Sequence, residues 1–289
     1  MFFDIHAHVY KYPYPDANKT LFMTEKQLIE HNHQHNIDHS VLLPIVSPEV
    51  YVPQSVGEII DIAKHSDGRF IPFCNLDPRV LTNSSDAPIG NLLEFYKEQG
   101  CLGVGEVLPK LGWNDLRMQN LLHCVEQIGF PLLFDMNGSK DKGYGIYDEP
   151  GMPHFERCLI KHPKLIFIGH GPAFWAEIAK LRNPDDRFSY PQYPVSEEGR
   201  VANLLRTYEN LYVDLSAGSG SNALMRDRQY AIKFLNEFSD RIMFGTDTCY
   251  FDQPVPVIGF LTDLFTQGYL SHEVFQRIAE GNAKKMLGL

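Results

Sequence analysis

The chain has 289 residues, 44% of them hydrophobic and 12% aromatic, which is enough to bury one large core. With 26 basic against 36 acidic residues it carries a formal charge of -10 and no Lys/Arg stripe, which argues against nucleic acid as a partner. No apolar run approaches the roughly 18 residues a membrane helix needs, and Met1 leads into Asp4 and His6 without a basic leader, so neither a membrane span nor a secretory signal is expected. The five cysteines (Cys74, Cys101, Cys124, Cys158, Cys249) are odd in number and lack CxxC spacing, which predicts reduced thiols and a cytoplasmic location.

Taken in chain order, short apolar runs alternate with longer stretches of helical period. FFDIHAHV opens the chain as a strand and is followed by TEKQLIEHNHQHN, an amphipathic helix capped at Thr24 with Leu28 and Ile29 facing the core. His31 and His35 lie one turn apart on that helix and are read as solvated rather than as a metal site. SVLLPIV, RFIPFCNLD, CLGVGEVL, PLLFDMNG, KLIFIGHG, LYVDLSAG and RIMFGTDTC are seven further strands. Between them SVGEIIDIAKHS, IGNLLEFYKEQG, RMQNLLHCVEQIG and NALMRDRQYAIKFLNEFS read as helices, and SHEVFQRIAEGNAKKMLG as a closing helix pair.

Eight β-then-α units with near-continuous apolar strands predict an α/β fold, a (β/α)8 TIM barrel in a single domain spanning 1–289. A doubly wound open sheet usually has fewer strands and a Gly-rich phosphate turn after the first, where this chain has HAHVY. Two long loops, GSKDKGYGIYDEPGMP after the fifth strand and RNPDDRFSYPQYPVSEEG after the sixth, lie on the face where such barrels build their sites.

Side chains two apart on a strand face the same way, so His6 and His8 point together into the barrel. They are joined at other strand ends by Glu106, Asp135, His170 and Asp247. Buried unpaired carboxylates cost several kcal/mol, so such groups must share protons, hydrogen bonds or a cation. Asp4, with the parity of His6 and His8, either orients a ligand or ties down the barrel. Arg79 and Trp113 are candidate substrate contacts, with an ion pair to Asp77 and packing on the barrel rim as the plainer alternatives. Lys110 is a further candidate for the pocket wall. On strand seven Tyr212, Asp214 and Ser216 face inward, and Asp214 is a candidate contact for the substrate, with hydrogen bonding within the polar layer as the alternative. Cys249 has no activating base in sight and reads as a small hydrophobe.

The HxH of IHAH, the IGHG of strand six, the FGTD of strand eight and the closing GNAKKMLGL resemble the amidohydrolase superfamily of metal-dependent barrels over nearly the whole chain. The helix and strand TEKQLIEHNHQHNIDHSVLLPI and the HGPAFW after strand six are similar to the amidohydrolase-2 branch, which includes aminocarboxymuconate-semialdehyde decarboxylase-like enzymes. The resemblance implies that His6, His8 and Asp247 bind metal and that His170 binds a second metal or acts on the substrate. Where that branch has a histidine on strand five, this chain has Asp135, while Glu106 in GVGE resembles the metal-bridging glutamate of TatD-type hydrolases.

The expected cofactor is one or two divalent ions per chain, zinc first and manganese or iron also compatible with these ligands. The expected reaction is hydrolysis of an amide, lactone or ester of a small polar or carboxylated molecule, with Asp247 as proton carrier and His170 either completing a second metal site or stabilising the developing oxyanion. Non-oxidative decarboxylation or hydration on the same barrel is the alternative, and a binding barrel without catalysis the third reading. A homodimer is a further expectation.

Overall fold

The computed structural model describes the chain except for residues 17, 51 and 53. Eight parallel strands run in sequence order: β1 (Phe2–Ala7), β2 (Ile37–Leu42), β3 (Phe70–Pro72), β4 (Val104–Val107), β5 (Leu132–Asp135), β6 (Phe167–His170), β7 (Leu211–Asp214) and β8 (Ile242–Met243). Regular pairing joins β1 to β3 and β4 to β8, and isolated bridges close the ring. At the first seam Cys74 N donates to Gly103 O (2.9 Å) and Gly105 N to Cys74 O (2.9 Å); at the second His8 N donates to Thr248 O (3.0 Å) and Asp247 N to His6 O (2.8 Å). The fold is a TIM barrel with helices outside.

Those helices are α1 (Glu25–His35), α2 (Val56–Lys64), α3 (Ile89–Glu98), α4 (Leu116–Ile128), α5 (Pro153–Lys161), α6 (Pro172–Ala176), α7 (Arg200–Thr207), α8 (Ala217–Met225), α9 (Arg228–Glu237), α10 (Pro256–Thr266), α11 (His272–Gln276) and α12 (Asn282–Leu287). Their ends follow from local chemistry. Asp115 caps α4 by accepting from Arg117 N, and Gly129 stops it at φ 80°, a conformation glycine adopts without steric cost. The periodic stretch 222–239 is two helices rather than one, because Asp227 leaves helical backbone and caps α9 by accepting from Tyr230 N. The closing segment differs too: α11 and α12 are joined through one wide helical turn at Arg277–Gly281, where Ile278 O accepts from Phe244 N beside β8.

Two apolar layers hold the barrel. Inside, Ile5, Val41, Leu43, Phe73, Leu133, Ile168 and Met243 fill the lumen, and Ala283, Met286 and Leu287 of α12 pack against that cluster. Outside, the alternate residues Leu132, Phe134, Phe167, Leu211 and Val213 meet the helices. The parity rule holds on β5, β6 and β7 and breaks on β1 and β4. On β1 the register shifts between Asp4 and Ala7, so Ile5 and His6 both turn inward while Ala7 and Val9 pack among residues of α1 and α2. On β4 it shifts between Val104 and Val107, with both valines outward and Gly105 against Leu133 and Leu43 of the lumen. Bulges of this kind re-aim side chains beside functional sites.

His31 corrects its sequence reading. It is 1% exposed rather than solvated, because α1 turns this face toward the barrel along with Leu28 and Asn32. Among the described residues no helix is long and apolar enough to cross a membrane.

Candidate metal centre

The ends of β1, β4, β5, β6 and β8 bring six side chains together. His6 Nε2 and His8 Nε2 stand 3.1 Å apart, and Asp247 Oδ1 lies 3.3 Å from the first and 3.2 Å from the second. Glu106 Oε2 is 3.7 Å from His6 Nε2 and 3.5 Å from His8 Nε2, while its Oε1 is 3.7 Å from His170 Nε2. Asp135 Oδ2 completes the far side, 4.0 Å from His170 Nε2. Four overlapping donor sets result among the described residues, His6–His8–Glu106, His6–His170–Asp247, His8–Asp247–Cys249 and Glu106–Asp135–His170, and Glu106 belongs to the first and the last.

The other ring nitrogens fix the tautomers. His8 Nδ1 donates to Leu43 O (2.8 Å), which can only accept, so its Nε2 carries the lone pair in the neutral ring. His6 Nδ1 lies 2.7 Å from Asp214 Oδ2, and His170 Nδ1 lies 3.0 Å from Ser216 Oγ and 3.4 Å from Asp214 Oδ2. Asp214 is thereby placed behind the ring, fully buried, as a positioning carboxylate rather than a pocket group. Asp4 ties the ligand strands together, with Oδ1 accepting from His6 N (3.0 Å) and Thr246 N (2.9 Å) and Oδ2 from Thr246 Oγ1 (2.7 Å). Asp247 adopts φ 52° at the sharp turn after β8.

The electrostatics show how tightly these groups depend on one another. Burial disfavours charge on His6, but Asp247 and Asp214 outweigh it and lift the ring well above the usual imidazole value. His8 is raised to about 8 against its burial by Asp247 and Glu106, and His170 to about 9 by Asp214. Burial works against ionisation of Glu106 too, yet His6 and His8 hold it far below the usual carboxylate range, as His170 and His6 do for Asp214. Asp135 moves the other way, pushed up to about 7 by burial and by Glu106, and its Oδ1 is buried without a hydrogen-bond partner. Orphaned oxygen, converging Nε2 lone pairs and carboxylates within reach form a donor set that fits a divalent cation such as zinc.

The remaining candidates lie elsewhere. Trp113 is fully buried against Phe134, Phe155 and Phe167 in the outer core and does not line the cavity. Arg79 spends its guanidinium on Asp77 (2.7 Å) and Glu49 (2.6 and 2.7 Å), so the ion-pair reading describes it. Lys110 Nζ reaches the carbonyls of Tyr144 (3.3 Å) and Gly145 (3.5 Å). Cys249 does border the cavity, but burial, Asp247 and Glu106 push its thiol up and keep it protonated. Sequence reasoning missed the cavity's aromatic wall, in which Tyr10, Phe22, Tyr144 and Tyr250 surround about 270 Å³ above the ring. Tyr10 and Tyr250 were open to inference from their places just past β1 and β8, whereas Phe22 left no such signal.

A family model described as amidohydrolase matches residues 146–289, a stretch that carries His170, Asp214 and Asp247. Over that stretch the chain is similar to the amidohydrolase family. No curated protein matches the chain. Solved structures share its fold at low identity. An amidohydrolase from Burkholderia multivorans with bound zinc is 13% identical with a TM-score of 0.61, over 100% of this chain and 99% of that one. A 2,6-dihydroxybenzoate decarboxylase from Rhizobium is 15% identical with a TM-score of 0.57, over 99% and 98%. A probable 2-pyrone-4,6-dicarboxylic acid hydrolase from Acinetobacter baumannii, with citric acid bound, is 14% identical with a TM-score of 0.59, over 100% and 99%.

Proposed function

We propose that this protein hydrolyses an amide, lactone or ester bond of a small molecule, using one or two divalent ions held by His6, His8, Glu106, Asp135, His170 and Asp247. The observation that carries the reading is the set of fixed Nδ1 contacts, which turns the Nε2 atoms of His6, His8 and His170 toward shared carboxylates. A bound divalent ion supplies a water of lowered pKa and polarises a carbonyl oxygen.

The chain's own groups account for the proton traffic. Asp247 is the ring carboxylate most open to the cavity, its side chain 23% exposed where Glu106 is 6%. It takes the proton of the attacking water and passes it to the leaving alcohol or amine. Where a single ion is bound, His170 stands outside its ligand set and as the imidazolium donates Nε2–H to the substrate's carbonyl oxygen, favouring charge growing there; where two are bound it is a ligand of the second instead. Asp214 and Leu43 O hold the rings still while this happens. Tyr10, Phe22 and Tyr250 cover the reacting bond and limit water.

Non-oxidative decarboxylation is the second reading: with a single ion on His6, His8 and Asp247, Asp135 is left out of the ligand set, and burial beside Glu106 favours its protonated form, an acid able to protonate carbon. Product analysis separates the two, since hydrolysis leaves an acid plus an alcohol or amine and decarboxylation releases carbon dioxide. On whichever ester, lactone or amide is turned over, Asp247→Asn is expected to lower kcat about a hundredfold to ten-thousandfold, counted per metal-loaded chain because Asp247 is also a ligand. Turnover by the variant within a few fold of the parent contradicts the assignment of Asp247.

A further inference from the structure

The cavity walls say more about the substrate than the ring does. Phe22 stacks on Tyr250 with ring centroids 5.2 Å apart and planes 13° from parallel, and tilts against Tyr10 at 4.6 Å. The wall is assembled by contact between the loops after β1 and β8: Met23 N donates to Cys249 O (2.8 Å), and Tyr250 Oη donates to Asp16 Oδ2 (3.1 Å). Tyr144, from the loop after β5, lines the same cavity, as do Ile45 and Leu108. An apolar cavity of about 150 Å³ takes up benzene, so one of about 270 Å³ holds a single ring and its scissile group.

The charge of the site sets a second limit. Glu106, Asp135, Asp214 and Asp247 surround the three imidazoles. With metal bound, the rings neutral and all four carboxylates ionised, one divalent cation offsets two of those charges and two cations offset all four, so the site has no surplus of positive charge for a substrate carboxylate. Among the described residues no lysine or arginine lines the cavity. Of the nearby cations, Arg79 is paired with Asp77 and Glu49, and Lys110 is held outside the cavity lining by the carbonyls of Tyr144 and Gly145.

We propose that the substrate is a flat, uncharged ring compound, an aryl or unsaturated-ring amide, ester or lactone without a free carboxylate, stacked on the Phe22–Tyr250 wall. This rests on the hydrolytic reading for the bond that is cut, and on the wall alone for the ring. Phe22 is then the specificity-determining residue, because a flat face gains most from an offset aromatic stack.

Calorimetric titration of the protein as purified, with metal content measured on the same sample, tests it with three probes: benzamide, cyclohexanecarboxamide and benzoate. Benzamide is expected to bind about tenfold more tightly than either of the others. Phe22→Leu removes that preference and Phe22→Tyr keeps it, each checked for folding by thermal melting. Benzoate binding as tightly as benzamide, no difference between flat and puckered amides, no binding by any probe, or a Phe22→Leu protein that keeps the ranking each overturns the substrate class. A sample that holds metal but fails the ranking leaves the hydrolytic reading standing, whereas a sample that cannot hold metal overturns that reading whatever the ranking.

Discussion

Asp214 is buried behind the ring with no surface in the cavity, yet it lies against Nδ1 of both His6 (2.7 Å) and His170 (3.4 Å). Outer partners of this kind set tautomer and basicity, and losing one typically costs 10–100-fold in metal affinity. Asp214→Asn should therefore weaken metal binding about 10–100-fold in competition with a chromophoric chelator, and unchanged affinity would show that the contact does not orient the rings. His31 supports a second prediction. Burial, and then the nearby His35, lower its pKa to about 4, and neither ring nitrogen has a hydrogen-bond partner. The unfolded chain, with His31 near 6.5, binds more protons than the fold between pH 6.5 and pH 4, so the neutral ring's contribution is present above 6.5 and is lost as pH falls through that window. His31→Leu should flatten the fall in stability over that range without loss at pH 7. A variant as acid-sensitive as the parent would contradict it.

At the scale of elements, the two long loops on the site face are joined from beneath. Arg187 in the second loop is 2% exposed and Glu177 after α6 is 4% exposed, with Arg187 Nε 3.0 Å from Glu177 Oε1. Arg187 Nη1 also donates to Asp148 O (2.6 Å) in the first loop, and Glu177 Oε2 accepts from Gly151 N (2.8 Å). Breaking a buried ion pair leaves one charge without a partner, at a cost of roughly 3–5 kcal/mol. Arg187→Met should lose about that much in denaturant unfolding, and Arg187→Met with Glu177→Gln should recover part of it. A single variant within 1 kcal/mol of the parent would show that the pair does not fasten the loops. This clasp was not legible in the sequence, where both loops read as Gly-, Pro-, Tyr- and Asp-rich segments on the site face with no sign of what fastens them. The strand faces were legible wherever alternation ran unbroken, as on β5 to β7, and became unreadable at the register shifts of β1 and β4, which no periodicity records. The helix break at Asp227 was hidden because apolar spacing continues across it.

For the whole molecule, eight apolar runs with helical stretches between them were enough to specify a closed parallel barrel, because only helices on the outer face can cover strands that are apolar on both sides. The polar residues at their ends marked the ring, since an apolar core has no other use for charge there. The aromatic wall stayed hidden for the opposite reason: apolar residues in loops do not stand out, and Phe22 meets Tyr250 only when the chain's two ends close the barrel. Tyr250 and Asp16, 234 positions apart, record that closure. The account's central claim is that the converging Nε2 atoms and carboxylates are a metal site rather than a self-satisfied core network. Elemental analysis of the protein purified without chelators, together with His6→Ala/His8→Ala, tests it most directly. One to two divalent ions per chain in the parent and a marked loss in the double variant are predicted; a parent chain that stays free of metal after reconstitution would contradict the account.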